Sequence, residues 1–463
     1  MKTLICIPCL LTGGTEIQTL NTVHALVEGG HEVTVACYFE HTPDMVARYR
    51  KAGAEVILFS PEGVRVGGYK SILFLYRHLR RAVKAVRPDV VHVQYMAPGA
   101  TVILLLWLMG VKNIIATAHT AADIYRDLRL IHFLQRHCLR AFTCITERAE
   151  RSFFGTSQLY SPDLVLGRRN HFTIYNALSW QMRCSQQTTD DRQQTPSGVF
   201  ALNLTQTSQN SQNGKSLRPC GHPDGDTKLS TLNATQENSH TESTELTEGK
   251  SLRPCTSGVS TEGSSLTAHG QQLTANSQEP NTKLVLGVVS RLEPIKGMDL
   301  VVPAFAEVLK MYPATQLLVV GDGTLRASME EQAAQLGCAD HIRFVGRQPQ
   351  EELSQWYSQM DIVLMPSRSE GFGLTAIEAM AHGCVMVASD VGGLPEVVRD
   401  GICGLLHRTE DITDMASKIS ALISDNALYD KLRTQSLIEV EKYSFERYAA
   451  TICDLYKRLG FRV

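Results

Sequence analysis

Short apolar runs that alternate with helical segments leave this chain few folds to adopt. "TLICI" is followed by "TEIQTLNTVHALVEGG", where Ile17, Leu20, Val23 and Val27 recur at helical spacing and glycines mark the stop. "EVTVACY" comes next, then the helical "ILFLYRHLRRAVKAV" leading into "DVVHVQ", and the further apolar runs "NIIATAH", "FTCIT" and "FTIYN". After residue 283 the alternation resumes in "KLVLGVVS", "QLLVVGDG", "HIRFVG", "DIVLMPS" and "VMVASD", and the amphipathic "SFERYAATICDLYKRL" closes the chain. Strands alternating with helices predict parallel sheets with helices on both faces. A chain of 463 residues has room for two or three such domains.

Residues 179–282 break the pattern. They are rich in Ser, Thr, Gln and Asn and repeat themselves: "GKSLRPC" stands at 214–220 and 249–255, with "LNLTQ" and "LNATQ" upstream of the two copies. Two polar copies cannot bury an apolar face as a solenoid must, so disorder is the expectation. Asp224-Gly225-Asp226, in this stretch, imitates a metal-binding motif in a setting that favours chance.

Charge and cysteines exclude more than they suggest. The net charge of −2 by itself implies nothing about nucleic acid, and no nucleic-acid partner is expected. It divides unevenly, however: +7 over residues 1–178, −3 over 179–282 and −6 over 283–463. Arg77, Arg80, Arg81, Lys84 and Arg87 share one predicted helix, either a solvated face or one attracted to anionic lipid or a phosphorylated acceptor. Only Cys6 and Cys9 have CxxC spacing, and no second pair completes a zinc site. Scattered cysteines point to a reducing compartment. "MKTLICIPCLL" lacks the cleavage site of a signal peptide, and "TVILLLWLMG" is too short to span a bilayer and reads as a core helix.

Open parallel sheets bind ligands at the carboxyl ends of their strands, and the chemistry-bearing residues follow strands here. Gly13-Gly14 opens the first helix, where free amides favour an anion. His119 ends "NIIATAH". Arg291 and Lys296, in "SRLEPIKG", could flank a diphosphate, one as a planar fork and the other as a point charge. After "DIVLMPS", Glu370 precedes Gly371-Phe372-Gly373-Leu374, and Glu378 lies one turn into the helix that follows. A carboxylate in the glycine loop could reach a sugar hydroxyl; one on the helix could accept from a ribose diol. Gly321-Asp322-Gly323 also follows a strand, but Arg326 occupies the third glycine position of a dinucleotide fingerprint, which argues against a nicotinamide enzyme.

In this order the motifs resemble the retaining glycosyltransferases of family 4, which have the GT-B fold. The matching stretches run from "TGGTEIQTLNTVHALVEGGHEVTV" through "RPDVVHV", "ATAH" and "IYNA" to "SRLEPIKGMDLVVPAF", "LLVVGDGTLRASMEEQA" and "DIVLMPSRSEGFGLTAIEAMAHGCVMVASDVGGLPEVVRDGICGLL". The resemblance implies two Rossmann-like domains facing a cleft: residues 1–178 with the last helix, 444–463, for the acceptor, and 283–443 for the donor. It implies that Glu378 binds the donor ribose, Glu370 the donor sugar, Arg291 and Lys296 the diphosphate, and that Gly14 lies near the phosphates and His119 beside the reacting sugar. Gly371, Phe372, Gly373 and Leu374 would complete the donor site. Its members need no metal or other cofactor, and retain configuration by front-face attack in which the leaving phosphate takes the acceptor proton. A nucleotide sugar would be the donor and a glycan or lipid-linked molecule the acceptor, in envelope polysaccharide or glycolipid synthesis at the cytoplasmic side. Independently of the resemblance, the basic helix of the first domain makes an anionic membrane surface a candidate partner.

Three departures stand out. The chain has Tyr175-Asn176-Ala177 where the family has Tyr-Asn-Gly, its first acid after His119 is Asp123, four residues on, and the polar insertion replaces a short connection. Closure entropy grows only with the logarithm of loop length, so the insertion costs little by itself. A sugar-nucleotide binder without catalysis and a nucleotide-sugar epimerase are the rival readings.

Overall fold

The structure, a computed structural model, describes residues 1–94, 96–122, 128–164, 170–181 and 284–460, all within one compact unit. The repeats, Asp224-Gly225-Asp226 and Asp123 lie outside the described residues, and so does the expectation of disorder except at 179–181.

Two parallel sheets form the frame. The first has seven strands in the order β3-β2-β1-β4-β5-β6-β7. These are β1 (Lys2–Ile7), β2 (Glu32–Cys37), β3 (Glu55–Leu58), β4 (Val90–Gln94), β5 (Ile114–Ala118), β6 (Ala141–Cys144) and β7 (His171–Thr173). β4 and β6 are buried at every residue, as strands covered on both faces must be. Helices α1 (Gly14–Glu28) and α2 (Pro43–Lys51) pack one face into a core around Ile5, Val35 and Ile115. Helices α3 (Tyr69–Val86), α4 (Met96–Leu108), α5 (Arg129–His137) and α6 (Glu147–Phe154) pack the other, around Leu4, Val91 and Phe142.

The second sheet runs β10-β9-β8-β11-β12-β13. Its strands are β8 (Val285–Val289), β9 (Gln316–Val320), β10 (Ile342–Gly346), β11 (Ile362–Met365), β12 (Val385–Ser389) and β13 (Gly404–His407). Helices α7 (Val301–Met311), α8 (Arg326–Gln335), α9 (Leu353–Tyr357), α10 (Leu374–Ala381), α11 (Leu394–Val397), α12 (Ile412–Ser424) and α13 (Asn426–Val440) surround it.

Strand order reverses between β1 and β4 in the first sheet and between β8 and β11 in the second. At such a switch point the crossovers leave in opposite directions, and a crevice opens outside the carboxyl ends. The loops after β8 and β11 carry Arg291 with Lys296 and Glu370, so these residues flank the second crevice from both sides. The loop after β1 leads into Gly14.

The last helix, α14 (Phe445–Gly460), returns from the second sheet and packs on α1. Its Tyr448 hydroxyl meets Thr22 at 2.7 Å, its Tyr456 hydroxyl meets His92 Nδ1 at 2.7 Å, and Asp454 accepts from Tyr160 at 2.7 Å. The apolar run at 101–110 lies in and just beyond α4. Val102, Ile103 and Leu106 are buried, but Trp107 and Leu108 face solvent, so it is a core helix on one side only.

Candidate active site

Close backbone packing brings the two loops of the second sheet together. Gly297 has φ +67°, and a Cβ there would lie 1.9 Å from the carbonyl oxygen of Pro366, which directly follows β11 and leads into the glutamate loop. Arg368 fastens the same two loops. Its guanidinium donates to both Asp299 oxygens at 2.7 and 2.8 Å, and also to the Pro294 carbonyl and Glu410. This forked pair holds Asp299 below the usual carboxylate range. Arg368 stands within the glycine-loop stretch, but sequence reading gives it no role, since both acidic partners are remote in the chain. The glycines of Gly321-Asp322-Gly323 have a similar packing purpose: Cβ atoms there would strike the carbonyls of Ser290 and Leu292 at 1.8 and 2.5 Å.

On this support Lys296 Nζ donates to Glu370 Oε2 at 2.7 Å, both side chains being mostly buried. Glu370 is fixed from behind, because its carbonyl accepts from Gly393 N at 3.0 Å. Arg291 is exposed, and its side chain has no hydrogen-bond partner among the described residues. It therefore shares the loop with Lys296 without joining the pair.

Gly373, at φ +103°, starts α10, which runs only to Ala381. Phe372 is buried, with its ring edge-on to Tyr443 at 5.5 Å and tilted toward Tyr175 at 6.2 Å. Its ring is thus occupied in packing, which leaves its backbone for any ligand. Ile377 and Met380 are fully buried in the second sheet's core.

Glu378 differs from the simple picture of a carboxylate open to the cleft. It is 6% exposed, and its two oxygens accept from Tyr357 at 2.9 Å and Gln350 at 2.9 Å. Burial pushes its pKa up to about 7, although both donors pull it down. Each oxygen keeps a lone pair for a further donor. Nothing in the local sequence points to Tyr357 and Gln350, which lie on and just before α9.

Residues of the first sheet approach this group. His119 follows β5 directly, and Gly371 packs so closely that a Cβ there would lie 2.4 Å from the His119 carbonyl oxygen. Gly14 faces Leu374, whose Cδ1 would be 3.5 Å from a Cβ at that position. His119 itself is 7% exposed, and its Nε2 meets Gln94 Oε1 at 2.8 Å. Burial lowers its pKa to about 3, so it acts as a neutral imidazole that can orient a hydroxyl but carries no charge. Beside it, a small cavity is lined by Gln18, Gln94, Thr117 and Asn176 together with Ile145, Ile174 and Ile452. A relay of short contacts ties this layer to α14, from Tyr456 through His92 to Thr117 at 2.6 Å and on to Thr143 at 2.7 Å.

One link between the sheets has no sequence signal. Glu396 of α11 accepts from the backbone amides of Glu147 and Arg148, the first turn of α6 in the other sheet. A carboxylate at a helix N-terminus satisfies amides that otherwise lack partners. The substituted Ala177 is harmless to the backbone: it is not among the residues with positive φ, so the usual glycine is not needed there.

The family profile described as "Glycosyltransferase Family 4" matches residues 12–154, and that described as "Glycosyl transferases group 1" matches residues 271–437. The D-inositol 3-phosphate glycosyltransferase of Nocardia farcinica is 37% identical over 179 residues, 37% of this chain and 40% of that protein. That of Streptomyces bingchenggensis is 33% identical over 186 residues, 38% and 41% of the two chains. The chain thus spans about two-fifths of the length of the curated relatives it matches. Anabaena HepE in complex with UDP has the same fold, with a TM-score of 0.63 at 15% identity over 99% of this chain and 100% of that one. A glycosyltransferase from Rickettsia africae matches with a TM-score of 0.63, 15% identity, and 99% and 98% coverage. With two family profiles matched in order, together across more than half its length, and this fold among its described residues, the chain belongs to the family 4 glycosyltransferases of the GT-B fold.

Proposed function

We propose that the protein transfers a sugar, with retention of configuration, from a nucleotide-diphosphate sugar to a hydroxyl of a glycan or lipid-linked acceptor. The observation that carries this reading is the Lys296–Glu370 pair at the second sheet's switch point, with Gly14 and His119 brought against the same loops. The HepE structures, described as complexes with UDP and with UDP-glucose, support a nucleotide-sugar donor.

In this reaction the acceptor oxygen bonds to the anomeric carbon on the face from which the diphosphate leaves. The bond between that carbon and the diphosphate oxygen breaks, its electron pair goes to the phosphate, and the same oxygen takes the acceptor proton. Lys296, Arg291 and the amides at the start of α10 stabilise the charge growing on the leaving group, so no metal is required. Glu370 orients the donor sugar and holds the Lys296 ammonium in place. It is no glycosidase-type nucleophile, because the leaving group serves as the base. His119, uncharged, orients a sugar hydroxyl, and Glu378 receives the ribose diol.

The test is a panel of nucleotide sugars followed by acceptor-dependent turnover. The matching donor raises the thermal midpoint by mass action, by the equivalent of about 2.7 kcal/mol at a hundred times its Kd. Donor is then consumed only with an acceptor present. A chain stabilised by none of the panel, or one that converts the donor without acceptor as an epimerase does, overturns the reading.

Glu378 gives this reading a pH dependence. Its raised pKa means that the folded protein holds a proton the unfolded chain has lost. Its contribution to stability is therefore full below the ordinary carboxylate range and is lost as pH rises through about 7. Donor binding runs the opposite way, because the diol donates to the ionised form. We expect donor Kd to fall about tenfold from pH 5.5 to 7.5 and then level off, with proton release on binding near pH 6.5. Calorimetry in buffers of different ionisation enthalpy measures that release. Glu378→Gln abolishes it and weakens binding at every pH; a pH-independent Kd in the unsubstituted protein removes Glu378 from the ribose.

A further inference from the structure

Helix α3 carries two apolar stripes where a helix packed on one sheet needs only one. Leu75, Leu79 and Ala82 face the core. Tyr69, Ile72, Leu73 and Tyr76, at positions i, i+3, i+4 and i+7, form a second stripe that faces solvent, with Tyr69 80% exposed and Leu73 52% exposed. On the same outer face, one and two turns later, come Arg77, Arg80, Arg81 and Lys84, all exposed. Among the described residues no carboxylate pairs with any of these four cations.

The neighbouring helices extend the pattern. α3 packs beside α4, and α4 beside α5, on one face of the first sheet. Trp107 and Leu108 of α4 are 40% and 66% exposed, and Leu130 and Phe133 of α5 are 51% and 43% exposed. Eight of the seventeen large apolar side chains exposed among the described residues lie on these three helices, so the patch is a concentration and not the ordinary scatter of apolar surface. The three helices contain no aspartate or glutamate at all.

We propose that the outer face of α3, α4 and α5 docks on the surface of a bilayer containing anionic phospholipid. Charge decides the occupant: a layer with cations and no carboxylate repels a second copy of itself and attracts an anionic surface. Chemistry agrees, since tyrosine and tryptophan beside leucine, with arginine and lysine around them, suit the boundary between headgroups and acyl chains. Because no helix among the described residues is long and apolar enough to cross a membrane, the association lies along the surface. A lipid-linked acceptor would then reach the cleft by diffusing in the plane of the bilayer.

Vesicle sedimentation of the full chain tests this without any donor or acceptor, so its outcome is independent of the transfer reaction. The chain pellets with vesicles of neutral phosphatidylcholine doped with phosphatidylglycerol at least tenfold more than with phosphatidylcholine alone, and 1 M salt removes most of the difference. Arg80→Glu with Arg81→Glu lowers the partition about tenfold. Leu73→Ser with Leu108→Ser lowers it also in high salt, where apolar insertion is what remains. All four side chains are exposed, so the variants keep the far-UV spectrum and thermal midpoint of the parent. Equal pelleting with both vesicle types, or no response to the charge reversals, overturns the proposal. So does a chain that fails to pellet and forms a dimer that Leu73→Ser dissociates, which would mean that a second copy covers this face.

Discussion

Lys296→Ala lowers kcat by about 100- to 1000-fold, the cost of removing one preorganised donor from a site where charge develops. The Lys296 ammonium lies 2.7 Å from Glu370, on a loop held by Gly297 and by the Arg368 fork. In the proposed reaction it would therefore meet the leaving diphosphate without reorganising. Because this charge grows as the bond breaks, the loss falls mainly on kcat and less on donor KM. Glu370→Ala is expected to be similarly severe, since it removes the proposed sugar contact as well as the group that positions the ammonium. Glu293→Ala is the control. It is an acid in the same loop, but its carboxylate accepts from the side chain and amide of Thr324 and not from Lys296, and we expect a change below about twofold. Steady-state kinetics with a matched donor decide the matter: comparable losses in all three variants would remove the pair from the chemistry.

The second large effect concerns two glycines with nearly the same backbone conformation. Gly30 has φ +78° and no atom within 4 Å of where a Cβ would stand; Gly297 has φ +67° and the Pro366 carbonyl at 1.9 Å. Gly30→Ala carries only the left-handed conformational cost of an L-residue, about 1–2 kcal/mol. Gly297→Ala adds a collision with main chain, which cannot rotate away as a side chain could. We expect it to cost about 3 kcal/mol more than Gly30→Ala and to abolish donor-induced stabilisation, because the Lys296 and Glu370 loops are pushed apart. Denaturation with and without donor gives both readouts. Equal destabilisation by the two substitutions would mean that the loops yield easily and that their packing does not set the site.

What the sequence shows of this architecture follows from the range of the interactions concerned. Strands such as β4 and β12 are legible because both faces are buried and most of their residues are apolar, with His92, Gln94 and Ser389 as the polar exceptions. α2 is not legible by periodicity, since only Met45, Val46 and Tyr49 are buried; its signal lies in Thr42, which caps it, and Pro43 in its first turn. Glu370, Lys296 and Glu378 stand out because glycines and a helix start surround them. Their partners do not. Tyr357 and Gln350 reach Glu378 from another element, Asp299 and Glu410 reach Arg368 across long stretches of chain, and Glu396 caps a helix of the opposite sheet. Such contacts exist only once strand order has been fixed, and no local pattern records strand order. Ala177 shows the reverse case, a departure conspicuous in sequence that the backbone absorbs without strain.

The return of α14 to the first sheet makes the two halves of this molecule unequal as interchangeable parts. A recombinant enzyme built by joining residues up to 178 to the second half of a relative would inherit that relative's last helix, and with it foreign side chains opposite Thr22, His92 and Tyr160. The relay beneath His119 would lose Tyr456 while every first-sheet residue at the cleft stayed in place. Exchange of donor specificity by grafting therefore calls for two junctions, one before β8 and one between α13 and α14, so that Tyr448, Asp454 and Tyr456 travel with the half they serve.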